Sequence, residues 1–184
     1  MTRPQQLGLI DEIARTLDAG RIRFWLRGGW AVDFHLGRIT REHADVDLVT
    51  WLRHRTRVRD LLVERGFAVV PGCPEPQLVL AKRGDEASFV FVARLGGRVV
   101  VPGYEAWPFI PGSFPTAPKT LGGVRARVLS AKSLLHEKLH HEEWSGKPLR
   151  PTDRESIEIL RRLSADVSTR DDHPAAGGGA TVAA

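Results

Sequence analysis

Apolar residues recur every three or four positions in several segments of this chain, and this spacing predicts amphipathic helices. The first such stripe ends at Gly20 and a later one ends at Gly66, and a glycine at that position commonly terminates a helix. The pattern predicts helices over residues 4–19, 30–36, 53–65, 131–143 and 153–163. Ser130 immediately precedes the fourth helix and is expected to be its N-cap.

Short apolar or alternating runs lie between these segments and predict strands over residues 22–26, 46–51, 67–70, 77–82, 87–94, 98–101 and 124–129. Gly96 and Gly97 predict a hairpin turn. Residues 102–120 are rich in proline, glycine and aromatic residues without a repeating pattern. They predict either an ordered loop near a site or a plain surface excursion.

The order of these elements predicts the α+β class, with one mixed sheet and helices packed on it. The C-terminal helices are expected to form the far wall of a cleft. We predict a core over residues 1–129, a helical segment packed on it over 130–166, and a disordered tail over 167–184, where periodicity is lost.

Composition narrows the class of protein. Of the 184 residues, 42% are hydrophobic and 27% are charged, which is typical of a soluble globular chain. The single cysteine, Cys73, cannot form an internal disulfide, and no signal peptide or membrane-length apolar run is evident, so we expect a cytoplasmic protein without a membrane partner. The net charge of +5 suits phosphate-bearing ligands, but basic and aromatic residues are not interleaved, so nucleic acid is the less favoured partner.

Gly28 and Gly29 lie between a predicted strand and a predicted helix. Glycine lets a ligand approach the backbone closely, and the free N–H groups of a helix N-terminus bind phosphate. The alternative is a tight turn without a ligand.

Asp45 and Asp47 are separated by one residue at the start of the second predicted strand. Side chains at this spacing point to the same face, about 6–7 Å apart along the backbone, and carboxylate oxygens are the ligands that Mg²⁺ prefers. The alternative is a solvated strand end. A phosphate-binding turn followed by a carboxylate pair predicts nucleotide chemistry.

The run from Gly28 to Asp47 resembles the small-molecule nucleotidyltransferases of the polymerase-β-type superfamily, in its aminoglycoside 2″-adenylyltransferase and lincosamide nucleotidyltransferase branch. Weaker similarity at residues 98–103, at His136 and at residues 150–154 extends the resemblance over most of residues 5–163. The resemblance implies a nucleotidyltransferase fold in which a hydroxyl of a small molecule attacks the α-phosphorus of ATP, or another NTP, and pyrophosphate leaves. An aminoglycoside or a lincosamide-like antibiotic is the acceptor class that it implies.

The resemblance also implies roles for individual residues. The equivalents of Asp45 and Asp47 bind Mg²⁺, and the glycine turn holds the triphosphate. Arg41 and Lys132 are further candidates to contact the nucleotide, although Arg41 could equally order its own loop, as could His43. Asp33 is expected to be structural.

Three residues are candidates for the acceptor side: Trp107 for stacking, and Glu105 and His136 for polar contacts. A polycationic aminoglycoside requires an acidic pocket, which the basic balance of the chain does not favour. Glu105, Glu137, Glu142 and Glu143 are expected to supply local acidity.

One position departs from the resembled family. A third carboxylate is expected early in the central meander strand, as metal ligand and general base, and Ser88 occupies that position. Three outcomes stay open: Glu86 on the same face replaces it, the acceptor is activated in another way, or the protein binds ligand without transfer. The same chemistry directed at tRNA or protein is a further alternative.

Residues 136–140 also spell H-E-x-x-H, a zinc-protease motif when it lies on a helix, with Glu143, Glu155 or Glu158 as the third ligand. The neighbouring residues are charged, and a solvated helix face is the favoured interpretation.

Overall fold

The computed structural model describes residues 3–73 and 76–171, with side chains over 5–73 and 76–165. The helices are α1 (Arg3–Ala19), α2 (Gly28–Leu36), α3 (Arg55–Glu64), α4 (Ala131–Leu139), α5 (His141–Ser145) and α6 (Pro151–Asp171), and a single 3-10 turn (Leu52–His54) precedes α3. The strands are β1 (Phe24–Leu26), β2 (Val46–Trp51), β3 (Ala68–Val70), β4 (Gln77–Lys82), β5 (Asp85–Leu95), β6 (Arg98–Val100), β7 (Lys119–Leu121) and β8 (Val124–Ala126).

The larger sheet has the order β1-β2-β5-β4-β3, and β6 pairs with the end of β5. The β2–β5 pair is parallel, whereas β1–β2, β5–β4, β4–β3 and β5–β6 are antiparallel. This confirms the predicted α+β class with a mixed sheet. The parallel pair is decisive for the site, because its register places Asp47 beside Ser88.

The core lies between the sheet and the helices on one of its faces. Alternate residues of β5, namely Ala87, Phe89 and Phe91, are fully buried, and so are Ile13 and Leu17 of α1. Each such large side chain stabilises the fold by about 1.5–3 kcal/mol relative to an exposed position. The period-two burial of β5 therefore leaves Glu86, Ser88 and Val90 on the opposite face of the sheet.

Several predicted elements need correction. The helix predicted over 131–143 is two helices, because the backbone of His140 leaves helical geometry (φ −102°, ψ 9°) between α4 and α5. Ser130 is the predicted N-cap, and its hydroxyl accepts a hydrogen bond from the amide of Ser133 at 3.2 Å. The loop predicted over 102–120 contains most of β7, which pairs with β8 across the turn at Gly122.

Helix α6 continues to Asp171, past the start of the tail predicted over 167–184, and residues 172–184 lie outside the described residues. The tail and the proposed boundary at residue 129 stay predictions. Among the residues that the structure describes, no helix is both long and apolar enough to cross a bilayer.

Candidate active site

The turn between β1 and α2 brings Gly28 directly under a carboxylate. The amide of Arg27 donates to the carbonyl of Asp47 at 2.9 Å, which joins the turn to β2. Gly28 has a φ of +62°, and a Cβ there would overlap Oδ2 of Asp47 and lie 3.2 Å from its Cγ. Only glycine fits this position, so the Asp47 carboxylate lies directly against the first turn of α2.

Gly29 is covered from another direction. A Cβ there would overlap the ring of His43 at Nδ1 and would lie 2.7 Å from Nη2 of Arg41. The start of α2 is therefore surrounded by a carboxylate, an imidazole and a guanidinium. Because the first amides of a helix have no intrahelical partner and carry partial positive charge, this arrangement suits a phosphate group.

A buried hydrogen-bond network holds the loop that carries His43. The carboxylate of Asp33, which is fully buried, accepts from Thr40 N (3.2 Å), Thr40 Oγ1 (2.6 Å) and His43 Nε2 (2.7 Å). Gln6 donates to the carbonyl of His43 at 3.1 Å and accepts from Trp30 Nε1 at 3.1 Å. A carboxylate only accepts, so Nε2 carries the ring proton and Nδ1 faces Gly29. Asp33 thus orders the loop leading to Asp45.

Negative charge accumulates where β2 begins. Burial and the neighbouring charge of Asp47 both raise the pKa of Asp45; Glu86 raises it further, whereas Arg150 opposes the rise. Repulsion of this kind between carboxylates is relieved by a bound cation. The donors are hard oxygens, which fit a divalent metal, and no set of three or more His, Cys, Asp or Glu side chains within the described ranges forms a metal cage. The site therefore suits a metal that also takes ligands from substrate phosphates.

The face of β5 beside Asp45 and Asp47 has no carboxylate in register with Asp47, as a three-carboxylate site would require. Ser88 is in register with Asp47, and Glu86 is exposed two residues earlier on the same face. Val90 is two residues later on that face and lines a cavity. Glu86 is about 13 Å from Val90 along the strand, so it lies on the side of Ser88 away from the cavity.

The cavity beside Ser88 has a volume of about 340 Å³. Side chains from five separate parts of the chain line it: Arg27 after β1, Gln77 of β4, Val90 of β5, several residues between 101 and 109 after β6, and several between 133 and 145 on α4 and α5. Aromatic rings of Tyr104, Trp107, Phe109 and Trp144 are prominent in its walls. A mostly apolar concave surface with a few polar groups is typical of small-molecule sites.

A partly buried ion pair lines the cavity and interacts electrostatically with Asp47. Nη2 of Arg27 lies 3.4 Å from Oε2 of Glu137 on α4. Glu137 raises the pKa of Arg27; burial raises the pKa of Glu137, and the charge of Asp47 adds to that rise, against the effect of Arg27. Each charge is therefore compensated mainly by the other.

The start of α6 and the residue before it place charged side chains close to the Asp45–Asp47 pair. Asp153 accepts from Lys138 Nζ at 2.6 Å and from Arg150 Nε at 2.8 Å. Burial acts to raise the pKa of Asp153, but these hydrogen bonds outweigh it and hold the pKa well below its usual range. This pairing ties Arg150 to the fold close enough to interact with the charges of Asp45 and Asp47.

The structure brings some predicted acceptor residues together and not others. Trp107 and His136 line the cavity. Glu105 does not line it, since its carboxylate accepts from the amide of Gly103 at 2.7 Å. Lys132 is exposed and is absent from the cavity walls.

The H-E-x-x-H side chains do not converge on one point. His136 and His140 have ring centroids 4.5 Å apart, but Glu137 is paired with Arg27 and His140 Nδ1 lies 3.1 Å from Glu143. The zinc-protease alternative has no support from this geometry.

No role was predicted from sequence for Arg27 or Arg150. Arg27 directly precedes the glycine pair at the end of an apolar strand, and this position could have indicated that it lies at the site. For Arg150 no local pattern indicated that it faces the carboxylates, because they are contributed by another element.

Comparison with known proteins identifies the family. The family model for aminoglycoside-2″-adenylyltransferase matches residues 9–160, most of the chain. The chain belongs to the aminoglycoside-2″-adenylyltransferase family. This confirms the predicted resemblance.

The match to the curated relatives is short, and the chain spans about a quarter of their length. A 2″-aminoglycoside nucleotidyltransferase of Klebsiella pneumoniae is 46% identical over 43 residues, covering 23% of this chain and 24% of the relative. A lincosamide resistance protein of Staphylococcus haemolyticus is 35% identical over 49 residues, covering 27% and 30%.

Solved structures extend the likeness over the whole fold. ANT(2″)-Ia in complex with adenylyl-2″-tobramycin superimposes with a TM-score of 0.70 at 20% identity, covering 91% of this chain and 99% of that one. Lincomycin-bound LnuA, a lincosamide adenylyltransferase, gives 0.66 at 21% identity, covering 89% and 98%. At this identity the likeness shows a shared nucleotidyltransferase fold.

Proposed function

We propose that this chain transfers a nucleoside monophosphate, AMP from ATP, to a hydroxyl of a small molecule bound in the cavity beside Ser88. The observation that carries the proposal is the Asp47 carboxylate lying against Gly28 at the start of α2, because metal-binding oxygens and phosphate-binding amides then face one space. Family membership and the named activities of the relatives support it. An aminoglycoside or lincosamide antibiotic is the proposed acceptor.

Asp45 and Asp47 would hold Mg²⁺, which would neutralise charge on the triphosphate oxygens. The amides of Gly28 and Gly29 would bind phosphate, and Arg41 lies close enough to Gly29 to add a positive charge. The Asp33–His43 hydrogen bond keeps the loop before Asp45 in place. Catalysis then depends on positioning and on charge neutralisation.

The hydroxyl of the acceptor must lose a proton, and two carboxylates are candidates to receive it. Glu86 lies on the face of Ser88 and interacts electrostatically with Asp45. Glu137 lines the cavity, and burial raises its pKa, which makes it a stronger proton acceptor. Glu86→Gln and Glu137→Gln, compared by kcat at saturating ATP and acceptor, distinguish them: the larger loss marks the proton acceptor.

Transfer of label from α-³²P-ATP to an antibiotic panel tests the function. We expect a labelled product that depends on added Mg²⁺ and disappears with EDTA. The proposal would be contradicted if the protein bound ATP tightly but all label stayed in ATP with every antibiotic of the panel.

Binding of nucleotide without transfer is the second candidate function. The register of Ser88 with Asp47 favours it, because serine neither binds Mg²⁺ strongly nor accepts a proton near neutral pH. If the wild type binds ATP without turnover and Ser88→Asp turns over, the missing carboxylate accounts for the loss.

A further inference from the structure

The walls of the cavity are dominated by rings that support one another. Trp107 contacts Trp144 with ring centroids 5.9 Å apart and contacts His140 at 6.2 Å. Phe109 closes another side of the same cavity, together with Val90. Aromatic faces of this kind stabilise an apolar or flat body by burying it, and they offer few partners to a chain of ammonium groups.

The charge within the cavity is already balanced. Among its lining residues in the described part of the chain, Glu137 is the acidic one, and it is paired with Arg27. Using Glu137 to bind an ammonium group would leave Arg27 with a shared partner in a partly buried place, which is unfavourable. Burial and the neighbouring His140 both lower the pKa of His136, which disfavours a positive charge on this ring.

The acidic residues near the rim are engaged within the fold. Glu142 accepts from the amide of Leu149 at 3.0 Å, and Glu143 lies 3.1 Å from His140 Nδ1. Glu105 accepts from Gly103, as described above. The local acidity expected from the sequence is therefore not directed at the cavity.

We infer that the acceptor is a weakly charged molecule with an apolar or flat body next to its reactive hydroxyl, rather than a polycation. The inference rests on the proposed function and selects one acceptor class for it, against the class that the family name suggests. The aromatic walls would hold the body, and the Arg27–Glu137 pair would hydrogen-bond to polar groups next to the hydroxyl.

Binding and turnover are measured separately so that the two proposals can fail independently. Calorimetric titration is performed with full-length protein, Mg²⁺ and a non-hydrolysable ATP analogue, using lincomycin, a monoamine with an apolar chain, and tobramycin, a polyamine. We expect lincomycin to bind at least about tenfold more tightly, with little dependence of affinity on salt. Tighter binding of tobramycin, with affinity that falls steeply as salt rises, would overturn the inference, and so would binding of neither compound.

Two variants localise the binding. Trp107→Ala should weaken lincomycin binding about tenfold through the lost aromatic contact. Trp51→Ala is the matched control, since Trp51 packs against Phe114, Arg53 and Arg94 outside the cavity walls, and it should leave the affinity unchanged. Equal effects of the two substitutions would contradict the assignment of the cavity.

Turnover then separates the failures. Lincomycin that binds in the cavity but receives no AMP refutes the transfer activity and leaves the acceptor class standing. Efficient adenylylation of tobramycin alone refutes the acceptor class and leaves the transfer activity standing.

Discussion

The proposed nucleotide side and the proposed acceptor side of this site are built in different ways. The proposed nucleotide side comes from one short stretch, Gly28 to Asp47, closed by a dense network of hydrogen bonds around Asp33. The cavity is assembled from five separate parts of the chain and has mostly apolar walls. The first region holds charged groups in place by hydrogen bonds, whereas the second supplies volume and shape. Chemistry common to a family is therefore expected in the first, and acceptor choice in the second.

Removing the charge of Asp47 is the strongest way to separate the two regions. We expect Asp47→Asn to lower kcat about 10³-fold with every acceptor, because the metal loses a ligand next to the phosphate-binding turn. Steady-state pyrophosphate release measures it. Asp60→Asn on exposed α3 is the matched control and should retain activity. Loss with only some acceptors would show that Asp47 belongs to the acceptor side.

Arg27 lies where the regions meet, and its loss should affect the fold itself. Arg27→Met should lower the free energy of unfolding by about 2–3 kcal/mol, since Glu137 is largely shielded from water and would lose its cation. Urea denaturation measures this change. The double variant Arg27→Met with Glu137→Leu should regain most of the loss. A single-variant cost below about 1 kcal/mol would mean that the pair is already hydrated.

Gly28 tests how closely the turn must approach Asp47. Gly28→Ala should reduce kcat/KM about 10²-fold, because its Cβ would displace the carboxylate and a φ of +62° is strained for alanine. Gly37→Ala is the matched control: its φ is +69°, but no atom lies within 4 Å of the added Cβ. Both variants carry the backbone strain, so an equal loss of activity would show that contact with Asp47 is unimportant.

The smallest expected effect is a change in stability when the charge of Asp153, at the start of α6, is removed. The pKa of Asp153 is depressed in the folded state, so its stabilising effect is complete above the unfolded value of about 4 and is lost as the pH falls below it. Asp153→Asn should lower stability by about 2 kcal/mol at pH 7. The difference from wild type should shrink as the pH falls from 4 to 2, as followed by thermal unfolding. A constant difference across this range would show that packing, not charge, is responsible.

The contrast between the regions also explains which parts of the site were predictable. Gly28, Gly29, Asp45 and Asp47 could be proposed from sequence because each signal is local: a glycine pair before a helix, and two carboxylates at strand spacing. Their roles stay predictions. The cavity as a whole was not predictable, because its lining residues carry no shared pattern. Trp107 and His136 were predicted acceptor residues and do line it, whereas the pairing of Glu137 with Arg27 had no local signal. Helix α4 ends at Leu139, whereas one continuous helix was predicted to residue 143, because no glycine or proline in residues 131–143 marks the break.

The sequence by itself determined the α+β class and the glycine turn between β1 and α2, because periodicity and glycine conformational freedom act over a few neighbouring residues. Tertiary structure alone decided that β2 and β5 are parallel, which places Ser88 beside Asp47. It also decided that Arg27 and Glu137, separated by 110 positions, neutralise each other at the cavity. Such pairings depend on the balance between desolvation and attraction for charges brought together by folding, which no local pattern of residues records.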